Sequence, residues 1–114
     1  MIHKMKLSEE PFEKIKSGKK DIEIRIYDLK RREIKIGDKI IFHKLPDLKE
    51  NISVNVIGLF IFSSFKDLFS NFNNERFGHE NLSIEQQIKE LRKIYSKEEE
   101  NKYGVIGIMI KLVS

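Results

Sequence analysis

The last stretch of the sequence places the strongest constraint on the fold. Residues 105–113 read VIGIMIKLV, a β-branched and apolar run in which no polar residue comes before Lys111. Successive side chains of a strand point to opposite faces of a sheet, so this strand must be covered on both faces. The run therefore predicts a central strand with protein packed on either side of it.

Further strands and short helices are predicted along the rest of the chain. Strands are indicated at residues 2–7, 22–26, 39–44 and 52–62. Helices are indicated at about residues 9–17, 64–72, 83–95 and 96–103, and Ser83 with Gln86 and Ser96 with Glu99 form capping-box patterns. Gly58 predicts a bulge of the kind that closes small barrels. About five or six strands with three or four short helices favour an α+β fold, a small mixed β-barrel whose helices cover its ends or sides.

One predicted strand carries its charges on a single face. Isoleucines alternate with polar residues over Ile22–Tyr27. The isoleucines are expected to enter a core, which leaves Glu23, Arg25 and Tyr27 together on the other face. That face is either solvated, as an outer face of a sheet often is, or turned into a binding site. The alternation by itself leaves both interpretations open.

The composition limits the classes of function. The 114 residues indicate one domain, residues 1–114, with 22 Lys and Arg against 18 Asp and Glu. This small basic excess permits an anionic partner such as RNA, or serves solubility alone. Cysteine is absent, which excludes disulfides and thiolate chemistry. The three histidines share no metal-ligand spacing and no cofactor motif is present, so neither a metal nor a cofactor is predicted.

The hydropathy pattern gives an expectation about location. The N-terminal residues lack the apolar run of a signal peptide. The longest apolar run, which ends before Lys111, is far too short to span a bilayer. We therefore expect a cytoplasmic protein without a membrane partner. The sequence makes no prediction about its oligomeric state.

The residues Gly18, Lys20, Glu23 and Arg25 form the pattern G-x-K-x-x-E-x-R, which resembles the signature of the ASCH domain family in the PUA-like superfamily. The flanking segments EPFEKIKSGKK, KIGDKIIF and YSKEEENKYGVIGIMI resemble small bacterial and archaeal members, so the resemblance spans nearly the whole chain. It implies a PUA-like pseudobarrel in which the motif lines a cleft between the barrel and the helices. It also implies that the occupant of the cleft is RNA or a nucleotide-like ligand.

The resemblance leaves an enzymatic alternative open. Some family members hydrolyse acetylcytidine with a lysine, a threonine and a glutamate. Lys20 matches the lysine, Glu23 stands at the threonine position, and Glu80 matches the glutamate by spacing and a short dipeptide. If these three residues meet, a glutamate would activate water and Lys20 would stabilise an oxyanion, in deacylation of a modified nucleoside or in RNA cleavage. The bland alternative is an ion-pair cluster of Lys20, Glu23 and Arg25 that holds the barrel mouth together.

Additional binding residues are expected near the motif. The loop residues Arg31 and Arg32, next to Lys30, either hold an RNA backbone or are simply solvated. Tyr27 and Tyr103 are candidate stacking faces for bases, whereas Phe69, Phe72 and Phe77 are expected to be core residues. A third interpretation is a regulator that binds a small anionic metabolite. For Lys20→Ala the sequence predicts weaker ligand binding with little loss of stability, because a lysine in a cleft buries little apolar surface.

Overall fold

A computed structural model describes residues 1–113, and in this part of the chain five strands and four α-helices follow one another in a mixed order. The strands are β1 (Ile2–Leu7), β2 (Ile22–Ile26), β3 (Lys39–Lys44), β4 (Asn51–Phe62) and β5 (Val105–Leu112). The helices are α1 (Glu9–Lys16), α2 (Phe65–Ser70), α3 (Ile84–Leu91) and α4 (Lys97–Tyr103). Two short 3-10 turns lie at Arg31–Glu33 and Asn74–Phe77. The predicted α+β class is confirmed, and the predicted barrel takes the form of a half-barrel sheet.

The five strands form one sheet in the order β1-β3-β4-β5-β2. β1 runs parallel to β3, and all other neighbours are antiparallel. β5 therefore lies between two strands, as its apolar sequence predicts, while β1 and β2 are the two edges. The pairing of β4 with β5 shifts register between Val56 and Gly58, which confirms the predicted bulge.

Each face of the sheet supports its own hydrophobic core. One core contains Phe12 and Ile15 of α1 together with β-strand residues such as Ile108. The other contains Phe65 and Phe69 of α2 and the three isoleucines of β2, with α3 packed against it. Since both faces are covered, the polar face of β2 is turned toward the first core and away from bulk solvent. Glu23 is opposite Ile108, and Arg25 is opposite Ile106, in the register of β2 with β5.

Serine caps define where most of the helices begin. The hydroxyl of Ser64 accepts from the backbone of Asp67, and the two predicted capping boxes, at Ser83 and Ser96, are both formed. Ser8 occupies the N-cap position of α1, but its side chain makes no capping hydrogen bond. In the chain, α3 and α4 follow β4 and precede β5. The C-terminal end of α3 lies near the edge strand β2.

The curl of the sheet brings its two edges within reach of a single side chain. Arg25 of β2 donates from Nη2 to the backbone carbonyl of Lys6 of β1 over 3.2 Å. The edges stay unpaired by backbone hydrogen bonds, so a gap remains between them.

Candidate functional site

A cleft of about 600 Å³ opens between the two sheet edges. One wall comes from the end of β1 and from α1, with Lys6 and Lys14, and the floor comes from the motif strand. The opposite wall comes from the loop after the second 3-10 turn and from the end of α3, with His79 and Tyr95. Ile94 lies at the rim and remains 69% exposed. The cleft thus combines cations, an imidazole, a phenol and apolar surface with the carboxylates of Glu10, Glu23 and Glu90.

An ion-pair cluster forms the floor of the cleft. Lys20 Nζ lies 2.9 Å from Glu23 Oε1, and Arg25 reaches Glu23 Oε2 with both Nη2 and Nε, at 2.8 and 3.0 Å. The side chains of these three residues are only 7%, 5% and 13% exposed. Burial alone would raise the pKa of Glu23, but the charges of Lys20 and Arg25 and their hydrogen bonds prevail and lower the pKa to about 2. Glu23 is therefore ionised at neutral pH and is a poor base.

Lys14 holds the cleft wall that contains Gly78 and His79 in place. Its Nζ donates to the carbonyl of Gly78 over 2.6 Å and to Glu10 over 3.1 Å. Gly78 has a φ of +76°, and a Cβ at this position would lie 2.9 Å from Lys14 Cδ and 3.4 Å from Lys20 Cβ. A residue without a side chain is thus required where the loop crosses the two lysines. The crossing carries the next residue, His79, into the wall of the cleft.

Tyr95 closes one end of the cleft. Burial raises the pKa of its phenol, and the neighbouring charges include Arg25, Glu23, Arg31 and Asp28. Arg31 is paired with Asp28 at 3.4 Å, so this pair lies next to the Tyr95 end without forming part of the wall. The motif cluster and the basic loop are therefore neighbours.

A second group of predicted residues clusters outside the cleft wall. The Arg32 guanidinium lies 4.3 Å above the Tyr27 ring and donates from Nε to the Tyr27 carbonyl over 3.1 Å. Its Nη2 also donates to the carbonyl of Tyr103 over 3.4 Å. Arg32, Tyr27 and Tyr103 thus form one patch in which the arginine is already stacked on an aromatic ring.

The structure brings together three of the predicted site residues, Lys20, Glu23 and Arg25, in the floor of the cleft. Gly18 lies in the turn after α1 and outside the wall. Glu80 is exposed and does not line the cleft, so it does not join Lys20 and Glu23 in a catalytic group. Phe69 and Phe77 are buried, and Phe72 packs against Phe77 with ring centroids 6.1 Å apart, as expected for core residues.

Most of the residues that line the cleft were not assigned to the site from the sequence. Lys6, Lys14, His79 and Tyr95 line the cleft, although they lie in four different parts of the chain. One signal was present: Gln87 lies on the apolar side of α3 and is fully buried, so its amide requires buried partners. One of those partners is His79, whose Nδ1 lies 2.8 Å from Gln87 Oε1.

Other kinds of site are not found in the part of the chain that the structure describes. Residues 1–113 contain no group of three or more His, Cys, Asp or Glu side chains placed to hold a metal ion. In the same range, every helix is too short or too polar to cross a membrane.

One family model matches most of this chain, and solved structures are similar to it over nearly their whole length. The profile of the ASCH domain matches residues 5–114. The crystal structure of hypothetical protein PH0355 is similar at 43% sequence identity and a TM-score of 0.89, covering 99% of this chain and 100% of that chain. The solution NMR structure of protein PF0455 from Pyrococcus furiosus is similar at 38% identity and a TM-score of 0.79, covering 100% of this chain and 99% of that chain.

More distant structures share the fold alone. The crystal structure of ASCH from Zymomonas mobilis is 19% identical with a TM-score of 0.62, and the match covers 96% of this chain and 66% of that chain. No curated protein matches the sequence.

Proposed function

This chain belongs to the ASCH domain family, and from that premise we propose that it binds single-stranded RNA, or a nucleotide, in the cleft between its two sheet edges. The observation that carries the proposal is the excess positive charge in the floor of the cleft. Lys20 and Arg25 face a single carboxylate, Glu23, and all three side chains are largely withdrawn from solvent. A buried cation without a counter-ion is unfavourable, so a ligand phosphate beside this cluster would stabilise it.

The donors in the cleft suit a phosphate. Arginine presents five N–H donors in a rigid fork, and the hydrogen bonds of Arg25 to Glu23 and Lys6 involve only Nε and Nη2. The Nη1 group takes part in neither contact, and the Tyr95 phenol also interacts with this guanidinium, so a phosphate would meet both side chains. Lys6 adds a solvent-exposed ammonium at the rim, where it can meet a neighbouring phosphate of the same strand.

The remaining walls suit a base. Tyr95 is half-buried in the segment that follows α3 and Ile94 exposes apolar surface beside it, which together provide a face for an unstacked base. The basic patch of Arg31, Arg32 and the two tyrosines, Tyr27 and Tyr103, extends from the Tyr95 end. We propose that a strand leaving the cleft follows this patch.

The experiment is a titration of a short labelled single-stranded RNA at about 50 mM and about 200 mM salt, with Lys6→Ala and Lys66→Ala as a matched pair. Lys6 lines the cleft, whereas Lys66 is an exposed lysine of α2 outside it. We expect wild type and Lys66→Ala to bind with the same salt dependence. Lys6→Ala should bind more weakly, with a slope of log affinity against log salt reduced by about 0.7. Absence of RNA binding, or equal effects of the two substitutions, would contradict the proposal.

The hydrolase alternative has less support. Its glutamates are unsuited, because Glu23 is held ionised between two cations and Glu80 lies outside the cleft. Incubation with acetylcytidine, followed by chromatography, separates the two functions. Turnover that disappears in Lys20→Ala, in a sample that circular dichroism shows to be folded, would establish an enzyme, whereas salt-dependent RNA binding without turnover would favour the binding function. If neither is seen, the small anionic metabolite becomes the leading candidate.

A further inference from the structure

The hydrogen-bond network behind the cleft determines which nitrogen of His79 carries its proton. The backbone carbonyl of Leu82 can only accept, and it receives Asn74 Nδ2 at 2.7 Å and Gln87 Nε2 at 3.4 Å. Gln87 Nε2 also donates to Asn74 Oδ1 over 3.0 Å. Because the Leu82 carbonyl needs donors, the side-chain NH2 groups of Asn74 and Gln87 must both point toward it. The side-chain oxygen of Gln87 therefore points toward His79.

The orientation of Gln87 makes His79 a donor at Nδ1. Gln87 Oε1 lies 2.8 Å from His79 Nδ1, and an amide oxygen can only accept, so the hydrogen must reside on Nδ1. Gln87 is fully buried, which leaves it no water to turn toward. The protein therefore holds one tautomer of the imidazole.

The second ring nitrogen is left as an open acceptor. Burial lowers the pKa of His79, the Gln87 hydrogen bond opposes that effect, and Lys20 and Lys14 lower the pKa further, so the ring is neutral at neutral pH. Within residues 1–113, Nε2 makes no hydrogen bond, and it is not one of the polar atoms sealed from solvent. Because His79 lines the cleft, this lone pair is available to a ligand there.

From this geometry we infer that His79 Nε2 selects nucleobases that carry an exocyclic amino group, cytosine or adenine, over bases that carry a carbonyl at the same position, uracil or hypoxanthine. The inference rests on the proposed function and names its ligand class more narrowly. An amino group donates to the Nε2 lone pair. A carbonyl placed there would leave two acceptors facing each other in a partly desolvated site. Such an unpaired arrangement strongly disfavours binding.

The test uses nucleoside monophosphates as competitors against a bound labelled RNA. The paired probes are cytidine and uridine monophosphate, and adenosine and inosine monophosphate, because the members of each pair differ in this amino or carbonyl group and, beside it, only in the proton on the adjacent ring nitrogen. We expect wild type to prefer the amino member of each pair by about tenfold or more. His79→Asn should abolish that preference while the RNA still binds. Asparagine Nδ2 overlies the position of histidine Nδ1, so the donor to Gln87 is kept and only the Nε2 acceptor is lost.

The matched control is His43→Asn, since His43 lies in β3 outside the cleft, and this variant should keep the wild-type preference.

A second measurement needs no substitution. Lowering the pH through the pKa of His79, which lies below 6.5, places a proton on Nε2 and should diminish the preference. The charged groups that bear on this ring are Lys14 and Glu10 of α1 and Lys20 before β2. Because the Glu10 carboxylate raises the pKa of His79, Glu10→Gln should move the pH midpoint to a lower value.

The outcomes separate the two proposals. If the RNA does not bind, the proposed function fails and the inference fails with it. If the RNA binds but both members of each pair compete equally at every pH, the binding function stands and the role of His79 is overturned. A preference that survives in His79→Asn would overturn it as well.

Discussion

Replacement of Glu23 by glutamine should make the unfolding free energy depend less on pH. The folded-state pKa of Glu23 is about 2, against an ordinary value of 4.5. Each pKa unit corresponds to about 1.4 kcal/mol, so the paired carboxylate contributes about 3 kcal/mol at neutral pH. Because the folded-state pKa is the lower one, this contribution is present above pH 4.5 and is lost as the pH falls toward 2.

Urea unfolding at neutral pH and near pH 3 measures the effect. The advantage of wild type over Glu23→Gln should be smaller by about 2 kcal/mol near pH 3, where the unfolded state is mostly protonated at this position. Glu85→Gln is the matched control, since Glu85 is an exposed carboxylate of α3 and its difference from wild type should stay nearly constant. Parallel pH profiles for wild type and Glu23→Gln would refute the reasoning from the buried cluster.

Three further substitutions test the framework around the cleft. Gly104→Ala should destabilise the protein by about 1–3 kcal/mol by urea unfolding, because Gly104 has a φ of +74° and a Cβ would lie 2.9 Å from the Phe62 carbonyl oxygen. Glu100→Ala should lower the melting temperature sharply, with a loss of about 3 kcal/mol, because this buried carboxylate accepts the backbone N–H of Phe65 over 2.6 Å and pairs with a cation. Ser83→Ala removes the capping box of α3 and should cost about 1 kcal/mol, and a calorimetric scan that shows no shift would contradict the capping role.

The structure revises one expectation drawn from the sequence. Lys20→Ala was predicted to cost little stability, yet Lys20 is only 7% exposed and is paired with a buried carboxylate. Removal of one partner from a buried ion pair typically costs about 3–5 kcal/mol. The position of Lys20 in the sequence, in a turn region after a glycine, does not reveal that the chain folds over it.

The elements of the fold were predictable because each has a local signal. The alternation over Ile22–Tyr27, the apolar run at 105–112 and the serine caps at Ser83 and Ser96 each depend on neighbours within a few residues. The three motif residues of the cleft floor were also within reach, since Glu23 and Arg25 share one face of β2 and Lys20 lies just before that strand. Local patterns of this kind specify the secondary structure of a segment, and they specify much less about its tertiary contacts.

The remaining part of the cleft depends on long-range pairing that no local pattern encodes. The Lys6 carbonyl accepts a hydrogen bond from Arg25 because β1 pairs with β3 and the curl of the sheet brings its two edge strands close together. His79 enters the wall because Gly78 passes over Lys14. In the sequence it lies in a polar segment without periodicity, and only the amide of Gln87 on an apolar helix face indicated that something polar had to be buried nearby.

The pairing of β2 with β5 sets the time at which the motif strand acquires its place during synthesis. Ile24 of the motif strand is opposite Gly107, more than eighty residues later in the chain. At roughly 10 residues per second, the ribosome takes about 8 s to deliver the partner of this strand. Until then Lys20, Glu23 and Arg25 belong to a nascent segment whose partner strand, β5, has not yet been synthesised. A chain interrupted before β5 therefore carries the whole motif without the strand that completes the cleft.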